Sequence, residues 1–190
     1  MRRDDILEAA ASIFSQKGYH AASMQDIAQA VMLQKASLYH HVNSKQEILL
    51  ALLDKALDLL IENMQEVMRR PIPPDEKLRL GMRTYLTNML EHRELASVLL
   101  LEHRSLEPEL RARHISRRDR FENLWRVLIQ EGVDAGCFHS SGTGTAAKAL
   151  LGTLNWTITW YRPEGIYSPE QIADQFADYF LQGLLTRDGD

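Results

Sequence analysis

One cysteine, Cys137, stands in 190 residues, so the chain closes no internal disulfide and builds no cysteine-based metal cluster. The plain use of that thiol is as a small residue near a helix end, with a redox sensor as the alternative. No apolar run reaches the roughly 18 residues that a membrane-spanning helix needs, and the start, MRRDDILEAA, is amphipathic and unlike a secretion signal. A cytoplasmic protein with no membrane partner is the expectation. Catalytic signatures are missing too: there is no HExxH, no GxSxG, no glycine-rich phosphate loop and no carboxylate-histidine cluster at metal-ligand spacing. Accordingly no catalytic residue, metal ligand or cofactor is assigned, and an enzyme is not expected.

Apolar residues make up 45% of the chain and charged ones 25%, ordinary for a soluble globular protein with room for one large or two small domains. Strand-like alternation, internal repeats and low-complexity tracts are lacking, and a helical period runs nearly throughout. Ile6, Ala9, Ala10, Ile13 and Phe14 form one apolar stripe that stops at Gly18, a helix-ending position. From Lys45 to Arg69, after Ser44, a long amphipathic helix carries Leu49, Leu52, Leu53, Ala56, Leu60 and Met64 on one side. PIPPDEK, from Pro71, breaks the pattern most clearly. Beyond it 75–91, 94–102 and 110–135 read as helices, the last stopped by Gly136, and GTGTAAKALLGTLNWTITWYR and SPEQIADQFADYFLQGLL complete an all-α chain.

The segment from Ser23 to Leu49 departs from ordinary core-forming sequence. Ser23 caps a short helix with Met24, Ile27, Ala28 and Val31 on its apolar side and Gln25 on the other. A second helix starts near Gln34 and places Lys35, Ala36 and Ser37 on its first turn, with only Leu38 and Val42 to anchor it. So little apolar surface keeps a helix outside the core. In a helix-turn-helix such a helix enters the major groove with its N-terminal residues toward base edges. Gln34, Lys35 and Ser37 are the candidate base readers, and Tyr39, His40, His41, Asn43 and Lys45 are candidate contacts to phosphate, which fix register without reading sequence; Ser23, Gln25 and Ala36 complete the candidate DNA-binding set. The net charge of −4 is divided unevenly: residues 1–45 carry five cations against four carboxylates, and the excess acid lies beyond them. A nucleic-acid footprint is a local face, so the whole-chain sum does not exclude one.

DIA, a short turn and KASLYHHVNSKQEIL together resemble the TetR/AcrR family of transcriptional regulators, whose N-terminal domain usually reads DIA, AGVSKGTLYHHF and SKEEL in turn. Lys35, Leu38, Tyr39, His40, His41, Ser44 and Lys45 match, and Ala36 and Ser37 replace Gly and Thr. Three positions depart: Met32 stands at the turn glycine, Gln34 at the capping Ser and Val42 at a Phe. A positive φ at Met32 would cost about 1 kcal/mol or more. The resemblance implies a three-helix helix-turn-helix head, residues 1–46, joined to a larger helical domain, residues 47–190, for dimerisation and ligand sensing. Its implied partners are double-stranded operator DNA, palindromic, a second copy of the chain, and a small-molecule effector.

A dimer is expected on geometry too, because one short reading helix spans few base pairs and two half-sites lie about 34–36 Å apart. Leu150, Leu154, Ile172, Phe176, Tyr179, Phe180 and Leu184 supply the apolar stripes for that interface, unless they pack within one chain. For sensing, Trp156 and Trp160 share a helix face beside Asn155, Thr159 and Arg162, a composition that suits a ligand cavity or plain core packing. The segments RRDRFENLWRVLIQEGVDAGCF and NWTITWYRPEG resemble, more loosely, the subgroup that answers to acyl-CoA thioesters. In that reading Leu86, Met89, Leu99, Phe121, Trp125 and Trp156 wall an acyl chain, while His103, Arg104, Arg162 and other arginines between Arg111 and Arg126 hold the phosphates. The alternatives are arginines paired along a solvated helix, a regulator without an acyl-CoA ligand, and a helical protein-binding adaptor. Ligand would act by displacing the helix that starts at Lys45 and changing the spacing of the heads.

Overall fold

The computed structural model describes residues 3–139 and 142–184, of Leu184 the backbone alone. Among them the chain is helical, with no β-strand. The helices are α1 (Arg3–Lys17), α2 (Met24–Ala30), α3 (Lys35–Leu38), α4 (Lys45–Arg69), α5 (Pro74–Glu91), α6 (Arg93–Ser97), α7 (Pro108–Asp134), α8 (Thr143–Trp160) and α9 (Pro169–Leu184). The helix expected over 94–102 is interrupted: after α6 the backbone widens into a π-helical turn, Val98–Glu102, then tightens into a 3-10 turn, His103–Ser105. Apolar periodicity reports a face and is blind to that change of hydrogen-bond register.

Packing resolves two units, each drawn from two stretches of the chain. One unit holds the chain up to Asp58 together with His92–Arg117; the other holds Leu59–Glu91 and the chain from Arg118 onward. Both α4 and α7 therefore contribute to each unit.

In the first unit Ile6, Ala10 and Phe14 of α1, Ile27 and Ala28 of α2, Leu38 of α3 and Ile48, Leu49, Leu52 and Leu53 of α4 form the core. Gly18 ends α1 with φ +77°, and Tyr19 then turns back to meet Phe14 edge to face at 5.3 Å. α1 also packs on α6 and the π-helical turn, which is why the returning segment belongs here. Gln46, on the first turn of α4, donates to the Tyr19 hydroxyl at 2.9 Å and the Ser105 carbonyl at 2.8 Å, and its oxygen accepts from the Glu107 N–H at 3.1 Å. One amide thus closes three ends of backbone and side chain.

In the second unit α5 lies against α8 and α9. Leu78, Met82, Tyr85, Leu86 and Met89 of α5 meet Leu128 and Ile129 of α7, Leu150, Leu154 and Ile158 of α8, and Ile172, Ala173 and Ala177 of α9 in the buried set. Lys77 is buried and reaches Glu131 at 2.7 Å, so its charge is paired where desolvation would otherwise be costly.

Candidate nucleic-acid interface and effector cavity

Ser23 and Asp26 form a reciprocal capping box at the start of α2: the Asp26 N–H donates to the Ser23 hydroxyl oxygen at 3.1 Å and the Ser23 N–H to the Asp26 carboxylate at 2.8 Å. The Ser23 hydroxyl, followed by Lys17, holds the Asp26 carboxyl well below the usual carboxylate range. The end of α2 is equally defined. The Leu33 N–H reaches the Ala28 carbonyl at 2.8 Å and the Met32 N–H the Gln29 carbonyl at 3.0 Å, the paired bonds of a Schellman turn, with Met32 in the left-handed position at φ 55°. Met32 is the one non-glycine residue with positive φ among those described, and its side chain is 92% exposed.

That turn presents α3. Leu38 and Val42 are buried and anchor it, each at about 1.5–3 kcal/mol for burial of a side chain this size. Gln34, Lys35 and Ala36 are exposed or half-exposed, Ser37 is half-buried, and Gln34 sits at the N-cap with no side-chain hydrogen bond. The α-helical hydrogen-bond pattern ends at Leu38, and Tyr39, His40 and His41 follow in a tight turn, all three exposed. Gln25 is exposed on α2. Gln25, Gln34 to Ser37 and Tyr39 to His41 thus offer amide, ammonium, hydroxyl and imidazole groups to solvent from two short helices on a closed core.

Three of the candidate DNA-binding residues are already engaged within the chain. Ser23 is held in its capping box. Asn43 donates its side-chain amide to Glu47 at 2.7 Å and its backbone N–H at 2.8 Å, which holds the Glu47 carboxyl low, with Arg3 assisting. Lys45 is engaged most fully: its Nζ donates to the Tyr19 carbonyl at 2.8 Å and the Ala22 carbonyl at 2.7 Å and lies 4.3 Å from the Tyr19 ring centroid. Those carbonyls belong to the α1–α2 connection, so Lys45 braces the head from inside. The two backbone oxygens take up two of its three N–H donors.

In the second unit a small cavity of about 10 Å³, room for a single water, is lined by Leu60, Met64 and Val67 of α4, Gly81 and Tyr85 of α5, and Phe121 and Trp125 of α7, with Asn63 and Thr84 at its edge. Tyr85 stacks on Phe121 at 5.6 Å and meets Trp125 edge to face at 6.0 Å. A Cβ on Gly81 would stand 3.4 Å from both Met64 and Trp125, so the small residue is what lets α5 come this close. The buried Trp125 Nε1 has no hydrogen-bond partner among the described residues. Tyr85 donates its hydroxyl to Asn155 at 2.6 Å, and burial pushes that phenol up.

Of the expected effector residues, Phe121 and Trp125 line this cavity. Asn155 stands behind Tyr85, and Leu86 and Met89 are buried on α5 but outside the lining. Leu99, His103 and Arg104 belong to the first unit, where Leu99 is buried in the π-helical turn. Trp156 does not wall the cavity: it is 67% exposed, Trp160 is 45% exposed against the edge of Phe176, and Thr159 and Arg162 are exposed beside them. The arginine stretch is also largely spoken for. Arg111 donates to the Arg104 and Leu106 carbonyls, Arg113 pairs with Asp54, Arg117 with Asp54 and Asp58, and Arg118 with Asp119. Most of these carboxylates are on α4, not among the neighbours along α7 that sequence spacing suggests. Met64 and Val67 are readable in the sequence only as part of α4's long stripe, and nothing local distinguishes them from the stripe's other members.

The expected interface residues separate by burial. Leu150, Leu154 and Ile172 are core of their own chain, so they are not available to a second copy; Phe176 and Phe180 are half-buried, and Tyr179 is 67% exposed. The Leu184 side chain lies outside the described residues. With Trp156 and Trp160, Tyr179 forms the large aromatic exposure of α8 and α9.

A short polar helix set on a capped, glycine-like turn, with a long helix braced beneath it, defines a helix-turn-helix DNA-binding protein. Residues 6–52 match the family of bacterial regulatory proteins, tetR family, and residues 71–184 match the tetracyclin repressor-like C-terminal domain. The chain belongs to the TetR family of transcriptional regulators. It is 29% identical, over its full length and 93% of the relative, to the HTH-type transcriptional repressor KstR2 of Mycolicibacterium smegmatis. Among solved structures it resembles the TetR family transcriptional regulator PfmR of Thermus thermophilus, at 39% identity and TM-score 0.87, covering 96% of this chain and 99% of that one. AibR, solved in complex with isovaleryl coenzyme A and operator DNA, is 30% identical with TM-score 0.84 over 97% and 98% of the two chains.

Proposed function

We propose that this regulator is a dimeric repressor that leaves a palindromic operator when an acyl-coenzyme A thioester, or a similar amphipathic molecule, enters the cavity between α4, α5 and α7. It needs no metal or prosthetic group. The observation that carries the reading is the first turn of α3, with Gln34, Lys35 and Ala36 exposed and Ser37 half-buried, pinned by Leu38 and Val42 and free of competing side-chain bonds at Gln34. The exposed Trp156, Trp160 and Tyr179 support pairing of two copies, since large aromatic patches of this kind mark interaction surfaces. The aromatic cavity supports an acyl effector, as does the likeness to a regulator solved with a coenzyme A thioester.

Release needs differential binding and nothing else. At about 10 Å³ the cavity is far below the 300–1,000 Å³ typical of ligand sites, so an acyl chain has to part Met64, Phe121 and Trp125. Met64 rides on the same helix as Lys45 and Gln46, which brace the reading head. A shift of α4 worth about 1–3 kcal/mol between states changes operator affinity roughly 5- to 150-fold.

Mobility-shift measurement on DNA upstream of the regulator's own gene tests the reading, with and without octanoyl-coenzyme A. A specific complex that dissolves on adding the thioester is expected. Ser37→Ala and Lys35→Ala should change which sequences are bound; a sequence-neutral loss with a shallower salt slope would make Lys35 a phosphate contact. Absence of any specific complex refutes the regulator reading.

A further inference from the structure

Beside the cavity an open groove of about 370 Å³ runs between α4, α5 and α9. Asn63 and Thr84 line both spaces, so a ligand leaving the cavity past these two side chains emerges into the groove. The groove's other groups are Thr87 and Asn88, which give and accept hydrogen bonds, and three charges: Arg83, Glu91 and Glu170. Glu170 receives the Ser168 hydroxyl at 2.6 Å and is held low, so it stays ionised at neutral pH. One guanidinium against two carboxylates makes the groove slightly negative. That is a poor seat for a polyphosphate and a good one for an uncharged chain of amides.

We infer that this groove takes the neutral diamide arm of a coenzyme A thioester, the segment that joins the acyl sulfur to the nucleotide, and that the nucleotide phosphates stay outside it. The inference rests on the acyl-thioester reading of the cavity and adds which part of the ligand is recognised. The cavity's walls are apolar side chains, with the far edge of the Trp125 ring against Gly81, so it suits the acyl chain and leaves the polar part of the ligand to the groove. The arm's amides then need donors and acceptors together, which Asn63, Thr84 and Asn88 supply without net charge. Selectivity follows: the free fatty acid lacks the arm, and its carboxylate would meet Glu91 and Glu170.

Calorimetric titration of the purified full chain with octanoyl-coenzyme A, S-octanoyl-pantetheine and octanoate separates the possibilities. The pantetheine ester should bind within about threefold of the coenzyme A ester, and octanoate at least about tenfold more weakly. Raising salt from about 0.1 M to about 1 M, which shortens the Debye length from roughly 10 Å to 3 Å, should change coenzyme A ester affinity less than about threefold. Asn88→Ala should weaken both esters by the same factor, about 2- to 10-fold for one lost hydrogen bond, with an unaltered melting temperature. If the coenzyme A ester binds but the pantetheine ester loses more than about 50-fold, or salt abolishes binding, the phosphates are what is read and the inference falls while the effector reading stands. If neither ester binds, the effector reading itself is wrong and the inference goes with it.

Discussion

Met32 concentrates a measurable strain at the turn that aims α3. Its φ of 55° places an L side chain in the left-handed region, at about 1–2 kcal/mol, in a Schellman turn whose two hydrogen bonds hold it there. The side chain is 92% exposed, so replacing it sacrifices almost no packing. Met32→Gly removes the strain but gives the unfolded chain more freedom, at about 0.5–1 kcal/mol. The net is a stabilisation of about 0.5–1 kcal/mol, roughly 1–4 °C in melting temperature for a chain this long. Met32→Ala is the control, because it keeps a Cβ and therefore the strain, and it should stay within about 0.5 kcal/mol of the parent. Urea unfolding followed by circular dichroism reads both, at unchanged m. A glycine variant less stable than the parent would refute the argument, as would an alanine variant that gains as much as glycine.

Lys45→Ala should destabilise the head by about 1.5–3 kcal/mol, the worth of charge-assisted hydrogen bonds to two carbonyls, while leaving the salt slope of DNA binding unchanged in protein that remains folded; a slope lower by one counterion would restore it as a phosphate contact. The lowered carboxyls of Asp26 and Glu47 stabilise the fold fully above the ordinary carboxylate range and less and less as pH falls through and below it. Stability should therefore drop on acidification below about pH 4–5, and Asp26→Asn should flatten that fall while lowering stability at pH 7; an unchanged acid limb in the variant would contradict the linkage. Trp160→Glu together with Tyr179→Glu should give a folded monomer by sedimentation, whereas Leu154→Glu should unfold the second unit; a double variant that stays dimeric would move the interface elsewhere.

Much of the head is legible because its signals are local. Ser23 specifies a helix start, Gly18 a helix end, and the scarcity of apolar residues between Gln34 and His41 an exposed helix, all within a few residues of the effect. The bracing role of Lys45 is not legible in the same way, because its neighbours in sequence are polar, whereas its partners, the Tyr19 and Ala22 carbonyls, come from the connection after α1. No periodicity announces a lysine folded back onto a turn. The return of His92–Arg117 to the first unit is of the same kind, carried by α6 against α1 and by Gln46 on the Ser105 and Glu107 backbone.

The aromatic helix α8 makes the physical reason plain. Leu150 and Leu154 are spaced by four, and so are Trp156 and Trp160, so period alone yields two stripes without saying which one faces the chain's own core. Size and hydrophobicity argue for burying tryptophan first. The structure does the reverse: the leucines are buried on a helix that packs on α5, and the indoles stand at the surface with Tyr179. Burying two indoles in one chain would leave each N–H seeking a partner inside, and Trp125, the one buried tryptophan among the described residues, indeed lacks one. The exposed indoles of α8 face no such demand, because water is at hand for their N–H groups. Which of α8's two stripes is buried is therefore set by the helix it packs on, α5, and α8's own period carries no record of that neighbour.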